Sequence, residues 1–221
     1  MLSIASVTEV VYSHLRTQIL EGMQAGRPLK LADVAADLGV STTPVRSALE
    51  RLAFEGLVVM RGRKGASVTP LSLNSFHDIY SIRRALEGTA ARLAAPMLSD
   101  ADVTQMRQRI EFLGEIAHSA GPQVDLYLKS EWEMHRICYA APGYPRLLEE
   151  IETYRRQAER YFRLAFAHGI NVLDDLEKQR AFCDACCARH GERAGTIAEL
   201  LLDATVTTVG PFLNLSFSAS S

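Results

Sequence analysis

The sequence predicts a mostly α-helical protein, with one small β hairpin after its third helix and an all-α helical bundle beyond it. Three observations predict this. Apolar residues recur at three- and four-residue spacing along almost the whole chain, the period of helices with one buried face. Strand-like residues are confined to Leu57–Pro70, where they flank the turn Gly62-Arg-Lys-Gly65. Caps and breakers divide the remainder into lengths usual for globular helices.

The first helix begins behind a cap at Ser6 or Thr8 and turns Val10, Val11, Leu15, Ile19 and Leu20 inward, and Gly22, Gly26 and Pro28 end it. A short helix from Leu31 to Leu38 leads through Gly39-Val40-Ser41 into a third, from about Thr42 to Phe54. Ala35 lies where two helices must approach closely. Gly39, four residues on, permits the tight turn, and Val45 and Ala48 supply the next helix's packing face. That spacing is a helix-turn-helix. Ser41 is placed to cap the third helix, Pro44 is tolerated in its first turn, and Val45, Leu49 and Leu52 point inward. Thr43, Arg46, Ser47 and Glu50 share the opposite face, which would meet DNA. Leu57–Arg61 and Ala66–Pro70 read as the two strands of a wing around a basic turn. Arg63, Lys64 and Gly65 on that turn are candidate phosphate contacts, and a plain solvated hairpin is the alternative.

From Ser72 onward six helical segments are predicted: Leu73–Ala95, Asp100–Ser119, Gln123–Ala140, Pro145–Ala167, Leu173–Arg189 and Glu192–Val209. Ser99 with Asp102 resembles a capping box, and Gly121-Pro122, Pro142-Gly143 and Gly169 punctuate the rest. The expected organisation is a winged helix-turn-helix over residues 1–71, a helical domain over 72–215, and a disordered end over 216–221.

Composition agrees with two ordinary globular domains. The 221 residues are 48% hydrophobic and 23% charged. The net charge of −2 hides an asymmetry, since residues 1–71 carry +2 and the rest −4. Between Pro44 and Gly65, Arg46, Arg51, Arg61, Arg63 and Lys64 face only Glu50 and Glu55, a local excess of +3 suited to phosphates. The N-terminus lacks a secretory pattern. The most apolar stretch, Leu200–Phe217, is broken by Asp203, three threonines, Pro211 and Asn214, so a cytoplasmic protein without a membrane partner is expected.

Cys183, Cys186, Cys187 and His190 fall at i, i+3, i+4 and i+7, one face of a helix, where a metal or redox cluster is one reading. Core packing is the better one, because four groups on a single helix cannot easily wrap a tetrahedral ion. An enzyme is not expected: the chain has no phosphate-cradling glycine loop, no His-Glu-x-x-His and no recognisable nucleophile turn.

Leu38-Gly-Val-Ser-Thr-Thr-Pro-Val-Arg-Ser-Ala-Leu-Glu-Arg-Leu52, followed by Glu55-Gly-Leu57, closely resembles the signature of GntR-family regulators. Ile82-Arg-Arg-Ala-Leu-Glu87 with Ala90-Ala-Arg-Leu-Ala-Ala95 resembles the opening helix of the FCD effector domain of the FadR-like subfamily. The resemblance implies a homodimeric, cytoplasmic regulator that binds a roughly palindromic double-stranded operator and responds to a small-molecule effector, a small organic acid or related metabolite. The alternative is a helical ligand-binding or interaction protein whose DNA binding has degenerated.

Two departures from the family pattern stand out. Thr42 occupies a position where relatives commonly have Arg, which leaves Arg46 as the main candidate for base readout. Many FCD domains also hold a divalent metal with an Asp-x-x-x-His pair and two further histidines. Here Glu131 and His135 preserve the pair, while Gln179 and Leu201 stand where the other histidines would be. Glutamine is a weak ligand and leucine none, so no cofactor is expected, with Glu131 and His135 the first ligands of any metal that does bind. Arg83 is then the natural partner for an anionic effector, although it can equally pair with Glu87 at i+4. Tyr127, Glu131, His135, Arg136 and Gln179 are further polar candidates for the effector pocket.

Overall fold

The computed structural model describes residues 6–119, 123–167 and 171–218. The chain divides into two compact units, Met1–Ser72 and Leu73–Ser221.

The first unit contains α1 (Val7–Leu20), β1 (Pro28–Lys30), α2 (Leu31–Leu38), α3 (Thr42–Phe54), β2 (Val58–Met60) and β3 (Gly65–Val68). Ser6 caps α1, its hydroxyl accepting from the Glu9 amide at 3.2 Å. Val11, Leu15 and Ile19, at i+4 intervals, form the buried stripe with Tyr12 and Leu20. Val10, expected inside, is exposed, because it sits a quarter turn off that stripe. Gly39 ends α2 in the left-handed region at φ 65°, and the Val40 amide reaches back to the Ala35 carbonyl at 3.0 Å. Ser41 occupies the N-cap position of α3 in extended conformation, but its side chain makes no capping hydrogen bond, contrary to expectation. Val45, Ala48, Leu49 and Leu52 are completely buried.

The sheet has three strands in the order β1-β3-β2, all antiparallel, where two were expected. The unforeseen strand, β1, buries Leu29 between exposed Pro28 and Lys30. Three residues carry too little periodicity to compete with the breaker signal of Gly26 and Pro28.

The second unit contains α4 (Leu73–Ala94), a 3-10 turn (Ala95–Met97), α5 (Asp100–Ala117), α6 (Val124–Ala140), α7 (Pro145–Ala167), α8 (Val172–Cys187) and α9 (Gly191–Ser218). The longest helix–helix seam joins α4 to α9, while α5 packs on both α6 and α8 and α7 lies against α4. Met106, Leu113, Met134, Ile151, Phe182 and Ala194 belong to one continuous apolar core. Ser99 and Asp102 form the capping box of α5 reciprocally, at 3.2 and 2.9 Å.

Helix α9 continues well past the expected end at Val209 and runs through Pro211 to Ser218. Val209 and Leu213, four residues apart, are both buried, so the packed face carries on where Gly210 and Pro211 would otherwise stop a helix. Residues 216–218, expected as the start of a disordered end, are therefore helical, and 219–221 lie outside the described residues, as do Gly121-Pro122 and Gly169. Gly191–Leu213 is long and apolar enough to cross a membrane by length and composition. Part of its apolar surface is nonetheless buried, at Ala194, Ala198, Leu201 and Leu202, on a helix that packs against α4 and α8.

Cys183 and Cys186 are buried in the core, with the Cys186 sulfur 3.4 Å from that of Cys138 on α6. Because α8 stops at Cys187, His190 leaves the shared face and is exposed.

Candidate functional site

In the first unit the chemistry lies outside. Thr42, Thr43, Ser47 and Glu50 are exposed along α3, opposite the stripe that anchors the helix. Arg46, partly exposed among them, donates to the Arg63 carbonyl at 3.2 Å and so ties α3 to the wing turn. Arg63 and Lys64 are fully displayed on that turn. Gly65 is not. It is buried at φ 141°, and a β-carbon there would come within 2.1 Å of the Leu29 carbonyl oxygen. Its expected role as a DNA contact is corrected: Gly65 lets β1 approach β3 and has no side chain to offer a phosphate.

The second unit holds its chemistry inside. Arg83 and Glu87 on α4, Ser130, Glu131 and His135 on α6, and Gln179 on α8 are all buried. The sequence stripes require it. On α4, Phe76, Tyr80, Arg83, Glu87, Ala90, Ala91 and Ala94 follow one face, so the two charged residues are carried into the core by apolar neighbours. On α7, Ile151, Arg155 and Ala158 fall at i, i+4 and i+7, and Arg155 is drawn in by the same logic, its side chain only 15% exposed.

These groups form one connected network. Arg83 Nε donates to Glu87 Oε1 at 2.7 Å, and Arg155 reaches Glu87 Oε2 at 3.5 Å with one nitrogen and Glu131 with the other. The Arg155 guanidinium also lies 4.5 Å from the centre of the Trp132 ring. The Tyr139 hydroxyl is 3.2 Å from Glu87 Oε2 and 3.0 Å from His135 Nδ1. His135 Nε2 is 2.7 Å from Gln179 Oε1 and 3.4 Å from Glu131 Oε1. Phe182 stacks on the imidazole at 4.3 Å. Gln179 in turn bonds Asp175, which accepts from the Tyr127 hydroxyl at 2.7 Å.

Burial and charge set the protonation states. Burial opposes the Glu87 carboxylate, yet Arg83 and Arg155 outweigh it and hold its pKa below the ordinary value. Burial also opposes the Arg155 charge, and Glu131 and Glu87 more than compensate. His135 is pushed down by burial and Tyr139 up. Asp175 is raised by burial to about 6. An ionised Glu87 and a charged Arg155 therefore stand beside an imidazole that burial keeps neutral.

Of the expected effector residues, Arg83, Glu131, His135 and Gln179 are brought together, with Tyr127 joined through Asp175. Arg136 is corrected: it is half exposed and pairs with Glu152 at 3.0 Å, one residue away from the inward face of α6. Arg155, Tyr139 and Asp175 were missed. Arg155 had a legible signal in its place on the Ile151–Ala158 stripe, while Asp175, in the acidic first turn of α8, looks like an ordinary helix-start residue.

Comparison with known proteins places this arrangement. Residues 7–68 match the bacterial regulatory proteins of the gntR family, and residues 78–204 match the FCD domain. A protein of Paenarthrobacter nicotinovorans named "Probable D-xylose utilization operon transcriptional repressor" is 33% identical over 194 residues, 87% of this chain and 84% of that one. The HTH-type transcriptional regulator BphR of Paraburkholderia xenovorans, itself uncharacterised, is 27% identical over 95% of this chain and 88% of its own length. Among solved structures, E. coli McbR/YncC superposes with a TM-score of 0.76 over 97% of this chain and all of that chain, at 21% identity, a likeness of fold.

The fold and the matches define a DNA-binding transcriptional regulator rather than an enzyme. The chain belongs to the GntR family, in the FadR-like group that carries an FCD effector-binding domain.

Proposed function

We propose that this regulator works in the cytoplasm as a homodimer on a roughly palindromic operator. In this reading, a small polar metabolite, an organic acid or a related sugar or sugar acid, enters the network of Arg83, Glu87, Glu131, Arg155 and His135 and changes DNA affinity. Two-fold symmetry follows from the need to present two copies of α3 one helical turn of DNA apart. The observation that carries the effector reading is the Tyr80 hydroxyl. It is 1% exposed, adjoins Arg83, whose guanidinium lies 4.9 Å from its ring, and has no hydrogen-bond partner among the described residues. A buried hydroxyl left without a partner is costly, and a bound polar molecule would supply one. The name of the Paenarthrobacter relative puts sugars beside acids among the molecules to try.

A thermal-shift screen of organic acids, sugars and sugar acids tests this, followed by electrophoretic shifts on upstream DNA with any hit. The expected result is a ligand that raises the melting temperature and changes operator affinity. Tyr80→Phe should bind that ligand about 5- to 10-fold more weakly while melting no lower than the parent, since it deletes an unpartnered group. A strictly monomeric mass in light scattering, or failure to retard any upstream DNA, would count against the dimeric operator reading and favour a ligand-binding protein with degenerate DNA binding.

A further inference from the structure

The FCD resemblance implies a divalent metal, and the donor set here does not fit one. The atom that stands 2.7 Å from His135 Nε2 is the Gln179 amide oxygen, a weak ligand in a position that a metal-holding site would fill with an imidazole. Glu131 is engaged by Arg155, and Leu201 is buried with nothing to donate. No group of three or more His, Cys, Asp or Glu side chains is placed to hold an ion among the described residues. What stands between the carboxylates is a side chain: Arg155 presents one nitrogen to Glu131 and another to Glu87, with the guanidinium backed by Trp132.

We propose that the Arg155 guanidinium, held between Glu87 and Glu131, is the cation that balances these buried carboxylates, making this a metal-free site with its positive charge built into α7. A guanidinium suits that place. It is permanently charged, forks to two carboxylates at once and tolerates burial better than an ammonium. Its removal would leave Glu87 to Arg83 alone and Glu131 as a buried charge without its guanidinium partner, which is also the condition under which a carboxylate and an imidazole attract a divalent ion. The bearing on regulation rests on the effector reading above; the exclusion of metal does not.

The test is elemental analysis of the purified protein, with thermal melts in EDTA and in millimolar Ni2+, Zn2+ or Mn2+. The parent should hold far less than one equivalent of metal and melt within about 1 °C in every condition, whereas Arg155→Ala should melt lower and regain about 5 °C or more with Ni2+ or Zn2+ as Glu131, freed of Arg155, becomes available beside His135, whose Nε2 lies 3.4 Å from it. Arg155→Lys, which keeps the charge, should stay indifferent to metal. One tightly held ion in the parent, a lower melting point in EDTA, or a folded Arg155→Ala blind to metal would each overturn the proposal. If Arg155→Ala is unfolded without metal, Ni2+ should restore its helical circular dichroism, and no recovery overturns it as well. Lack of response to every metabolite would sink the effector reading alone.

Discussion

Each unit buries one carboxylate beside two arginines, and the two arrangements differ in where the charge ends. Glu55, 4% exposed, accepts from the Tyr12 hydroxyl at 2.6 Å and lies 3.5 and 3.8 Å from Arg16 and Arg51. Those arginines belong to the surface, with side chains 27% and 48% exposed, and Arg51 covers the Tyr12 ring on its way to Glu9. Glu55 thus pins α1 to the end of α3 and hands its charge to solvent. Glu87, 2% exposed, meets Arg83 and Arg155, which stay inside, and the network continues inward to His135 and Gln179. One unit uses buried charge as a staple so that its outer face is free for DNA; the other keeps charge internal, which is a liability for stability unless something binds there.

The largest expected effect sharpens this contrast. Glu87→Ala strands Arg83 in the core and takes from Arg155 one of its two carboxylates, and should destabilise the second unit by about 3–5 kcal/mol, whereas Glu55→Ala, whose arginines can turn to water, should cost the first unit about 1–3 kcal/mol. Trp132, the single tryptophan, lies on α6 and reports the second unit's urea unfolding by fluorescence. Equal losses in the two units would break the comparison.

Next comes the pH dependence of Asp175. Its folded pKa of about 6 exceeds the ordinary 3.8, so the folded state holds the proton more tightly than the unfolded one. The stability this contributes is complete below pH 3.8 and is lost as pH rises through 6. Relative to the parent, Asp175→Asn should therefore gain up to about 3 kcal/mol between pH 4 and 7. A difference that stays flat across that window would place the proton elsewhere in the network.

The smallest effects on stability, and the clearest on function, belong to the exposed face. Arg46→Ala should cost about 1–3 kcal/mol at the operator and relax discrimination at one base pair per half-site, while folding stability changes by under about 0.5 kcal/mol. Lys64→Ala should weaken operator and random DNA alike and lower the salt slope by about one per contact removed. An Arg46→Ala protein that keeps the parent's ratio of specific to random binding would remove α3 from the role of reader. Because Arg46 also holds the Arg63 carbonyl, part of its loss is expected to reach the wing.

The helix-turn-helix was legible because it is local. Ala35, Gly39, Val45 and Ala48 act within fourteen residues, and a turn that needs a left-handed residue at Gly39 declares itself by composition. The wing was legible for the same reason, though β1 was not, since Pro28–Lys30 becomes a strand only when β3 arrives to pair with it. The end of α9 was misjudged because Gly210 and Pro211 are strong local signals, overridden by the burial of Val209 and Leu213.

What the sequence by itself determined is the helical periodicity, the turn chemistry, the exposed face of α3 and the charge it carries, all set by residues a few positions apart. What only the tertiary structure decided is the network of the second unit. Arg83, Glu131, Arg155 and Gln179 come from four helices spread over about a hundred residues, and spacing along one helix says that a residue faces inward but never which partner it meets there. Whether Arg83 serves a ligand or Glu87 could not be read from their i+4 spacing. The contact that Arg83 makes in the folded chain, to a carboxylate shared with Arg155, depends on α7 lying against α4, and that packing is a property of the bundle alone.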